Sequence, residues 1–119
     1  MSKINIAEKF AKISEHYQPH IAADLNGQQV KLVKFKSEFP FHFHEHEDEM
    51  FLVVKGRFRM DFRDRHEWIE AGEFIVIPRG VEHRPAAEEE CWVVLFEPAS
   101  TLNTGNVVHK LTQPTLQRV

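Results

Sequence analysis

The chain divides into a short helical segment followed by a long β pattern. The first segment carries four apolar residues at helical spacing: Ile6, Phe10, Ile13 and Tyr17. Asn5 followed by Glu8 adds an N-cap and capping-box pattern. These signals predict one helix over residues 5–17. Beyond it, short runs rich in Val, Ile, Phe and Leu alternate with turn residues, which is typical of an all-β sandwich or barrel.

The β pattern predicts eight strands, over residues 29–36, 39–44, 49–54, 57–62, 66–70, 73–77, 82–86 and 91–96. Met50–Val54 and Phe74–Ile77 are apolar at consecutive positions, so both faces of these strands are expected to be buried. We expect a single domain over residues 1–119, made of an N-terminal helical segment (1–18), a barrel core (28–97) and an irregular tail (98–119) that lies against the outside.

Composition and charge narrow the class of protein. The 119 residues include 15 Lys and Arg against 18 Asp and Glu, and 42% of them are hydrophobic, as in a folded soluble domain. No basic run points to nucleic acid, and no apolar run approaches the roughly 20 residues that span a membrane. No secretory signal is recognisable, so a cytoplasmic location is expected. The single cysteine, Cys91, excludes a disulfide framework and is predicted to be buried.

Three of the eight histidines fall within residues 42–46. Aromatic residues and histidines alternate from 41 to 44, and a strand sends alternate side chains to opposite faces. His42 and His44 are therefore predicted to point the same way. The opposite face would carry Phe39, Phe41 and Phe43, which would need cover from the helix, the tail or another subunit.

Two imidazoles beside an acidic residue form the kind of site that binds a divalent cation. Glu47, Asp48 and Glu49 all follow the histidines. Glu49 begins the next apolar strand, from which its carboxylate could reach the histidine face. His83 is a fourth candidate, because the strand-turn-strand passage before it can return the chain to the same end of a barrel.

Two spacings in this region resemble the signature motifs of the cupin family: His42-x-His44-x4-Glu49-x6-Gly56, and then Gly72-x5-Pro78-x-Gly80-x2-His83. The resemblance covers about residues 39–97. It departs from the family pattern at Lys36, where glycine is common, and at Ala87, where asparagine is common. Neither departure falls on a ligand position.

The resemblance implies an antiparallel double-stranded β-helix, the jelly-roll barrel, with one metal ion inside. Its ligands would be His42, His44, Glu49 and His83, and a homodimer would be expected. As a whole, the chain looks like the small single-domain, RmlC-like cupins labelled mannose-6-phosphate isomerase-like. That label concerns the fold and does not establish a sugar phosphate as substrate.

Other polar residues have more ordinary interpretations. His46 is expected at the rim of the site, and the histidines at 16, 20, 66 and 109 have no partner at ligand spacing. Four arginines could meet an anionic substrate at the rim, although solvated surface charges are favoured for each: Arg57, Arg59, Arg79 and Arg84. Phe51 and Val53 lie two and four residues after Glu49, on the same face of the strand, and should line the interior of the barrel.

Three imidazoles and one carboxylate would leave coordination positions open for a small-molecule ligand. Fe(II) at such a centre suits oxygenase chemistry, whereas Zn, Mn or Ni suits isomerisation or hydrolysis. Residue types do not decide among Fe, Mn, Ni, Zn and Cu. No nucleophile with an adjacent base is recognisable, so catalytic residues stay unassigned. A metalloenzyme and a non-catalytic binding or sensing module are both compatible with the sequence.

Overall fold

A computed structural model describes residues 1–119, which form one short helix and seven strands. The elements are α1 (Ile6–Phe10), β1 (His20–Leu25), β2 (Gln28–Glu38), β3 (Glu49–Lys55), β4 (Arg57–Asp61), β5 (His66–Glu70), β6 (Phe74–Ile77) and β7 (Arg84–Pro98). All strand pairs are antiparallel. The predicted all-β jelly roll with a short N-terminal helix is confirmed. The helix is far too short to cross a membrane.

The longest strand, β7, organises the sheet. It pairs with β2 along most of its length, with β4 through its first residues and with β3 through its later ones. The prediction of two separate strands, 82–86 and 91–96, was wrong. The exposed acidic run 88–90 resembles a turn in sequence, but it is accommodated by a register shift opposite Phe35 and Ser37, and the strand continues.

The predicted helix over residues 5–17 is much shorter in the structure. Asn5 does cap it, with Oδ1 accepting a hydrogen bond of 3.0 Å from the backbone N–H of Glu8. However, Phe10 packs on the outer face of the sheet, whereas Tyr17 packs in the main core. One helix face cannot serve both clusters, so the chain leaves the helix after Phe10. The backbone N–H of Tyr17 then donates to the Lys34 carbonyl at 2.8 Å.

Residues 39–44, predicted as a strand, form no regular strand. A single pair of backbone hydrogen bonds, of 2.9 and 3.0 Å, joins His42 to His83. Pro40 lacks an N–H, which limits any longer ladder. Phe39, predicted to face outward, is 5% exposed and belongs to the main core. Phe41 is half-buried, beneath the guanidinium group of Arg63.

The outer face of β3 and β6 is less covered than their apolar runs predicted. Phe74 and Val76 are 62% and 50% exposed, and Val54 is 38% exposed. β6 lies at the end of the strand order, and the N-terminal segment covers the sheet nearer Leu32 and Val94. Consecutive apolar residues therefore do not mark a strand buried on both faces in this chain.

The first strand and the tail were not anticipated in their observed form. β1 pairs with β2, so the sheet begins at residue 20 instead of 28. Its alternation is weak in sequence because Ala22 and Ala23 interrupt it. The tail returns to this strand, where Ile21 exchanges backbone hydrogen bonds with Gln117 and Val119, of 2.9 and 3.0 Å. Earlier in the tail, the backbone N–H of Asn106 donates to the Phe43 carbonyl at 3.1 Å.

Candidate metal centre

Three separate segments bring the predicted ligands together inside the barrel. His42 and His44 lie in the loop between β2 and β3, Glu49 is the first residue of β3, and His83 immediately precedes β7. All four are buried, with exposures between 0% and 4%. One donor atom from each lies within 4.8 Å of the others. The group could therefore hold a metal ion.

The donor atoms have few partners within the chain. Glu49 Oε1 lies 3.2 Å from His44 Nε2 and 3.4 Å from His83 Nε2. None of these three buried atoms makes a well-formed hydrogen bond. Buried polar atoms without partners are costly, and one divalent cation would satisfy all three. The set of nitrogen and oxygen donors thus fits a divalent transition metal.

Backbone carbonyls orient two of the imidazole rings. The Nδ1 of His42 donates to the Pro40 carbonyl at 2.9 Å, and the Nδ1 of His83 donates to the Val81 carbonyl at 2.8 Å. A carbonyl oxygen only accepts, so the proton of each neutral ring resides on Nδ1. The Nε2 lone pairs are then free to bind a metal, which is the usual arrangement of ligand histidines.

Burial and mutual contacts shift the pKa values at this centre. Burial, reinforced by the neighbouring His83, lowers the pKa of His42 to about 4. Burial alone would raise the pKa of Glu49, but its polar contacts with Glu97, His44 and His83 outweigh burial and hold that pKa well below its usual range. The metal-free centre therefore favours a neutral His42 and a charged Glu49, the forms that bind metals.

The stability of the metal-free protein should fall as the pH drops from 7 to 5. His42 binds a proton near pH 6.5 when unfolded but only near pH 4 when folded. The unfolded state thus binds more protons in this window, which costs about 2 kcal/mol of stability by pH 5. Urea unfolding of chelator-treated protein measures this loss. His42→Gln should show a smaller loss, and an equal loss in both proteins would contradict the assignment.

Two buried charged residues beside Glu49 were not identified from the sequence. Lys31 on β2 and Glu97 on β7 form an ion pair of 2.9 Å. Burial and the Glu49 charge raise the pKa of Glu97 well above its usual value. The alternation of side chains along β7 could have identified Glu97, because it lies two residues after Leu95 and four after Val93, on the same inward face. Lys31 holds an inward position ahead of Val33, but a lysine among apolar residues is normally taken as solvent-facing.

A small, mainly apolar cavity adjoins the ligands. Its volume is about 30 Å³, enough for about two water molecules. Besides His42 and Glu49, its lining consists mostly of apolar and aromatic residues, including Phe35, Phe51 and Leu95. The segment before β1 contributes Tyr17, whose hydroxyl donates to the Ser37 carbonyl at 2.7 Å. The tail contributes Asn103, so both terminal segments help to enclose the cavity.

The tail packs directly against the histidine loop. Asn106 Oδ1 accepts a hydrogen bond of 2.8 Å from the Phe43 backbone N–H. Gly105 has a φ of 53°, and a Cβ placed on it would overlap the Phe43 carbonyl oxygen and lie 3.1 Å from the Cδ2 of His42. Only glycine permits this approach without displacement. The tail, expected to be peripheral, therefore supports the His42–His44 loop.

The remaining sequence candidates lie apart from the centre. The side chain of His46 is 79% exposed, 3.8 Å from Glu45. The four arginines pair with acids or cover Trp68: Arg57 with Trp68, Arg59 with Asp61, Arg79 with Asp48, and Arg84 with Asp61 and Glu38. None of these arginines lines the cavity. Cys91 is buried as predicted, and burial raises its pKa to about 12.

Comparison with known proteins places this arrangement in a family. The Cupin domain model, Cupin_2, matches residues 29–96. The uncharacterized protein YdbB of Bacillus subtilis (strain 168) is 30% identical over 86 residues, which cover 71% of this chain and 76% of YdbB.

Two solved structures show the same fold at higher identity. A cupin-2 domain containing protein from Shewanella frigidimarina NCIMB 400 is 44% identical, with a TM-score of 0.79, over 80% of this chain and 93% of that one. Protein NMB1881 from Neisseria meningitidis is 35% identical, with a TM-score of 0.76, over 82% of this chain and 100% of that one. The chain is a small single-domain member of the Cupin_2 family.

Proposed function

We propose that the protein is a metal-dependent enzyme that acts on a small molecule at the centre formed by His42, His44, Glu49 and His83. The observation that carries this proposal is the convergence of four buried donors, three of them without well-formed hydrogen bonds, beside an apolar cavity. The metal would be one divalent ion among Fe, Mn, Ni, Zn and Cu. We further propose that residues 1–119 form a single, cytoplasmic domain built around this centre.

Two groups of residues would have different roles at this site. The three histidines and Glu49 would hold the ion, which would supply Lewis-acid chemistry or, as Fe(II), activation of dioxygen. Three histidines and one carboxylate would supply four ligands, and further coordination positions would remain for a substrate. Phe35, Phe51 and Leu95 would exclude bulk water and favour apolar groups. No serine, threonine, cysteine or lysine lines the cavity.

The lining favours an oxygenase over a sugar-phosphate isomerase. An isomerase of that kind needs cations for the phosphate and donors for the hydroxyl groups. No lysine or arginine lines the cavity, and the hydroxyl of Tyr17 is already bound to the Ser37 carbonyl. A small apolar substrate together with dioxygen matches these walls better than a sugar phosphate does.

Metal content and an open coordination position together test the proposal. Protein purified without an affinity tag should contain about one divalent transition metal ion per chain. The Co(II)-loaded protein should change its visible spectrum when azide is added, since azide is small enough for the cavity. Metal-free protein that also fails to take up Co(II) would contradict the proposal.

A non-catalytic binding or sensing role is the second candidate. It is favoured by the small cavity, which admits about two water molecules in this structure. A metal centre that holds Co(II) but gives no spectral response to azide would favour this role, because the ion would then be closed to exogenous ligands.

We also propose a homodimer. The exposed Phe74 and Val76 on the edge strand β6 form an apolar surface of the kind that subunits cover. Light scattering at micromolar concentration should give twice the mass of the chain. A monomer under these conditions would contradict the proposal.

A further inference from the structure

The side chain of Tyr17 enters the barrel from outside the sheet. Tyr17 precedes β1 and belongs to no strand, yet it is 3% exposed and lines the cavity together with His42 and Glu49. Its ring lies against Phe35 and Phe39, with centroids 4.9 and 4.8 Å away. The Phe39 and His42 rings meet edge to face, at 5.3 Å. Tyr17 is therefore linked to a proposed metal ligand through one intervening ring.

The backbone at Tyr17 adopts a conformation that a bulky residue rarely takes. Its φ is 58°, in the left-handed region, where a side chain crowds its own backbone. Ser37, whose carbonyl accepts the Tyr17 hydroxyl at 2.7 Å, is also left-handed, with a φ of 66°. Asn26, the third such residue other than glycine, lies in a turn, where asparagine is common. Two residues with an unfavourable backbone are thus joined by one hydrogen bond.

Specific contacts hold Tyr17 in this conformation. Its backbone N–H donates to the Lys34 carbonyl, its hydroxyl donates to the Ser37 carbonyl, and its ring packs against two phenylalanines. Backbone strain persists where the surrounding structure enforces it, often at ligand-binding sites. Glycine would adopt this backbone without strain. The presence of a large ring here therefore needs a reason, and the space that the ring fills supplies one.

The Tyr17 ring fills space that a larger ligand would need. The cavity measures about 30 Å³ with the ring in place, whereas a cavity that binds benzene measures roughly 150 Å³. The neighbouring walls include Phe35, Phe51 and Leu95, which lie on the paired strands β2, β3 and β7. Tyr17 lies outside the strands, so a substitution there leaves the strand pairing intact and alters mainly the space in the cavity.

We propose that Tyr17 is a specificity-determining residue that sets the upper size limit for ligands of the metal centre. Ligands of about three heavy atoms, such as azide, fit the space of two water molecules, whereas a six-membered ring does not. The substrates of the proposed enzyme are therefore small molecules without a ring. This inference rests on the proposed function, because it concerns what reaches the metal.

Three variants test whether the ring of Tyr17 sets the limit. Tyr17→Gly removes the ring and relieves the backbone strain, which offsets part of the lost packing. Tyr17→Phe keeps the ring and removes only the hydroxyl. Phe10→Ala is the matched control, because it truncates another buried ring of the N-terminal segment, one that stacks on Trp92 on the outer face of the sheet. Thermal unfolding verifies that each variant is folded, and Tyr17→Leu replaces Tyr17→Gly if that variant is not.

The visible spectrum of the Co(II)-loaded proteins reports which ligands reach the metal. The wild type, Tyr17→Phe and Phe10→Ala should respond to azide but not to pyridine. Tyr17→Gly should respond to both, and it should bind pyridine at least about 10-fold more tightly than the wild type does. The metal-free proteins give a second readout. Benzene should shift the NMR signals of the His42 ring, which lines the cavity, in Tyr17→Gly but not in the other three proteins.

Different outcomes overturn different claims. Equal pyridine binding by the wild type and Tyr17→Gly, or exclusion of pyridine by both, would overturn the role of Tyr17 while leaving the metal centre intact. Pyridine binding by Tyr17→Phe would also overturn it, because the ring would then not set the limit. Failure of the wild-type protein to bind Co(II) would instead overturn the proposed function. The benzene comparison would in that case still decide whether Tyr17 limits what enters the cavity.

Discussion

His42→Ala should weaken binding of a divalent transition metal by at least about 100-fold. The His42 side chain is 2% exposed, and its Nδ1 is held by the Pro40 carbonyl, which leaves Nε2 for the ion. Loss of a ligand should exceed the roughly 10–100-fold effect of disturbing the groups behind it. Calorimetric titration with Zn(II) or Co(II) provides the measurement.

His46→Ala is the matched control for this variant. His46 lies only four residues along the chain, but its side chain is 79% exposed and is not part of the donor cluster. Its removal should leave the affinity unchanged. Comparable weakening in both variants, or none in His42→Ala, would show that the ligand set is wrong. Unfolding curves of the metal-free proteins distinguish lost ligation from a lost fold.

Gly105→Ala should destabilise the protein by roughly 3 kcal/mol and weaken metal binding as well. The left-handed backbone at Gly105 costs an alanine about 1–2 kcal/mol, and crowding against well-packed neighbours adds about 1–3 kcal/mol. Here the neighbours are the Phe43 carbonyl and the His42 ring. The tail must therefore shift away from the loop that holds two of the proposed ligands.

Gly27→Ala separates backbone strain from the loss of this contact. Gly27 has a φ of 78°, and a Cβ there would meet nothing within 4 Å. Its substitution should cost only about 1–2 kcal/mol, with metal affinity unchanged. Urea unfolding and Co(II) titration of both variants give the comparison. Equal destabilisation of the two would show that the tail does not support the His42–His44 loop.

Four consecutive strands, β3 to β6, were the easiest to predict. β3, β4, β5 and β6 lie within one residue of their predicted bounds, because glycine and charged turns separate them clearly. Segments whose conformation depends on distant partners were predicted less well. Residues 39–44 alternate like a strand, yet only His42 pairs, through His83. The N-terminal apolar residues have helical spacing, yet Phe10 and Tyr17 serve different clusters.

The candidate site shows the same division between local and long-range information. His42 and His44 are predicted to share a side because they lie two positions apart, and the resemblance of the two spacings to the cupin motifs implies Glu49 and His83. No local pattern reveals that Lys31 and Glu97 stand behind Glu49, since 66 residues separate the pair. Strand register alone brings them together.

By itself, the sequence determined the all-β class and predicted that His42 and His44 point the same way, because alternation is a local property of the chain. The proposal of Glu49 and His83 as further donors came from the resemblance of two spacings to the cupin motifs. The tertiary structure decided what surrounds those donors: an apolar cavity, an inward ion pair and a tail whose Gly105 touches the histidine loop. These features arise from packing and register between segments far apart in the chain. The local sequence around a polar or small residue does not show which of these distant residues it will contact.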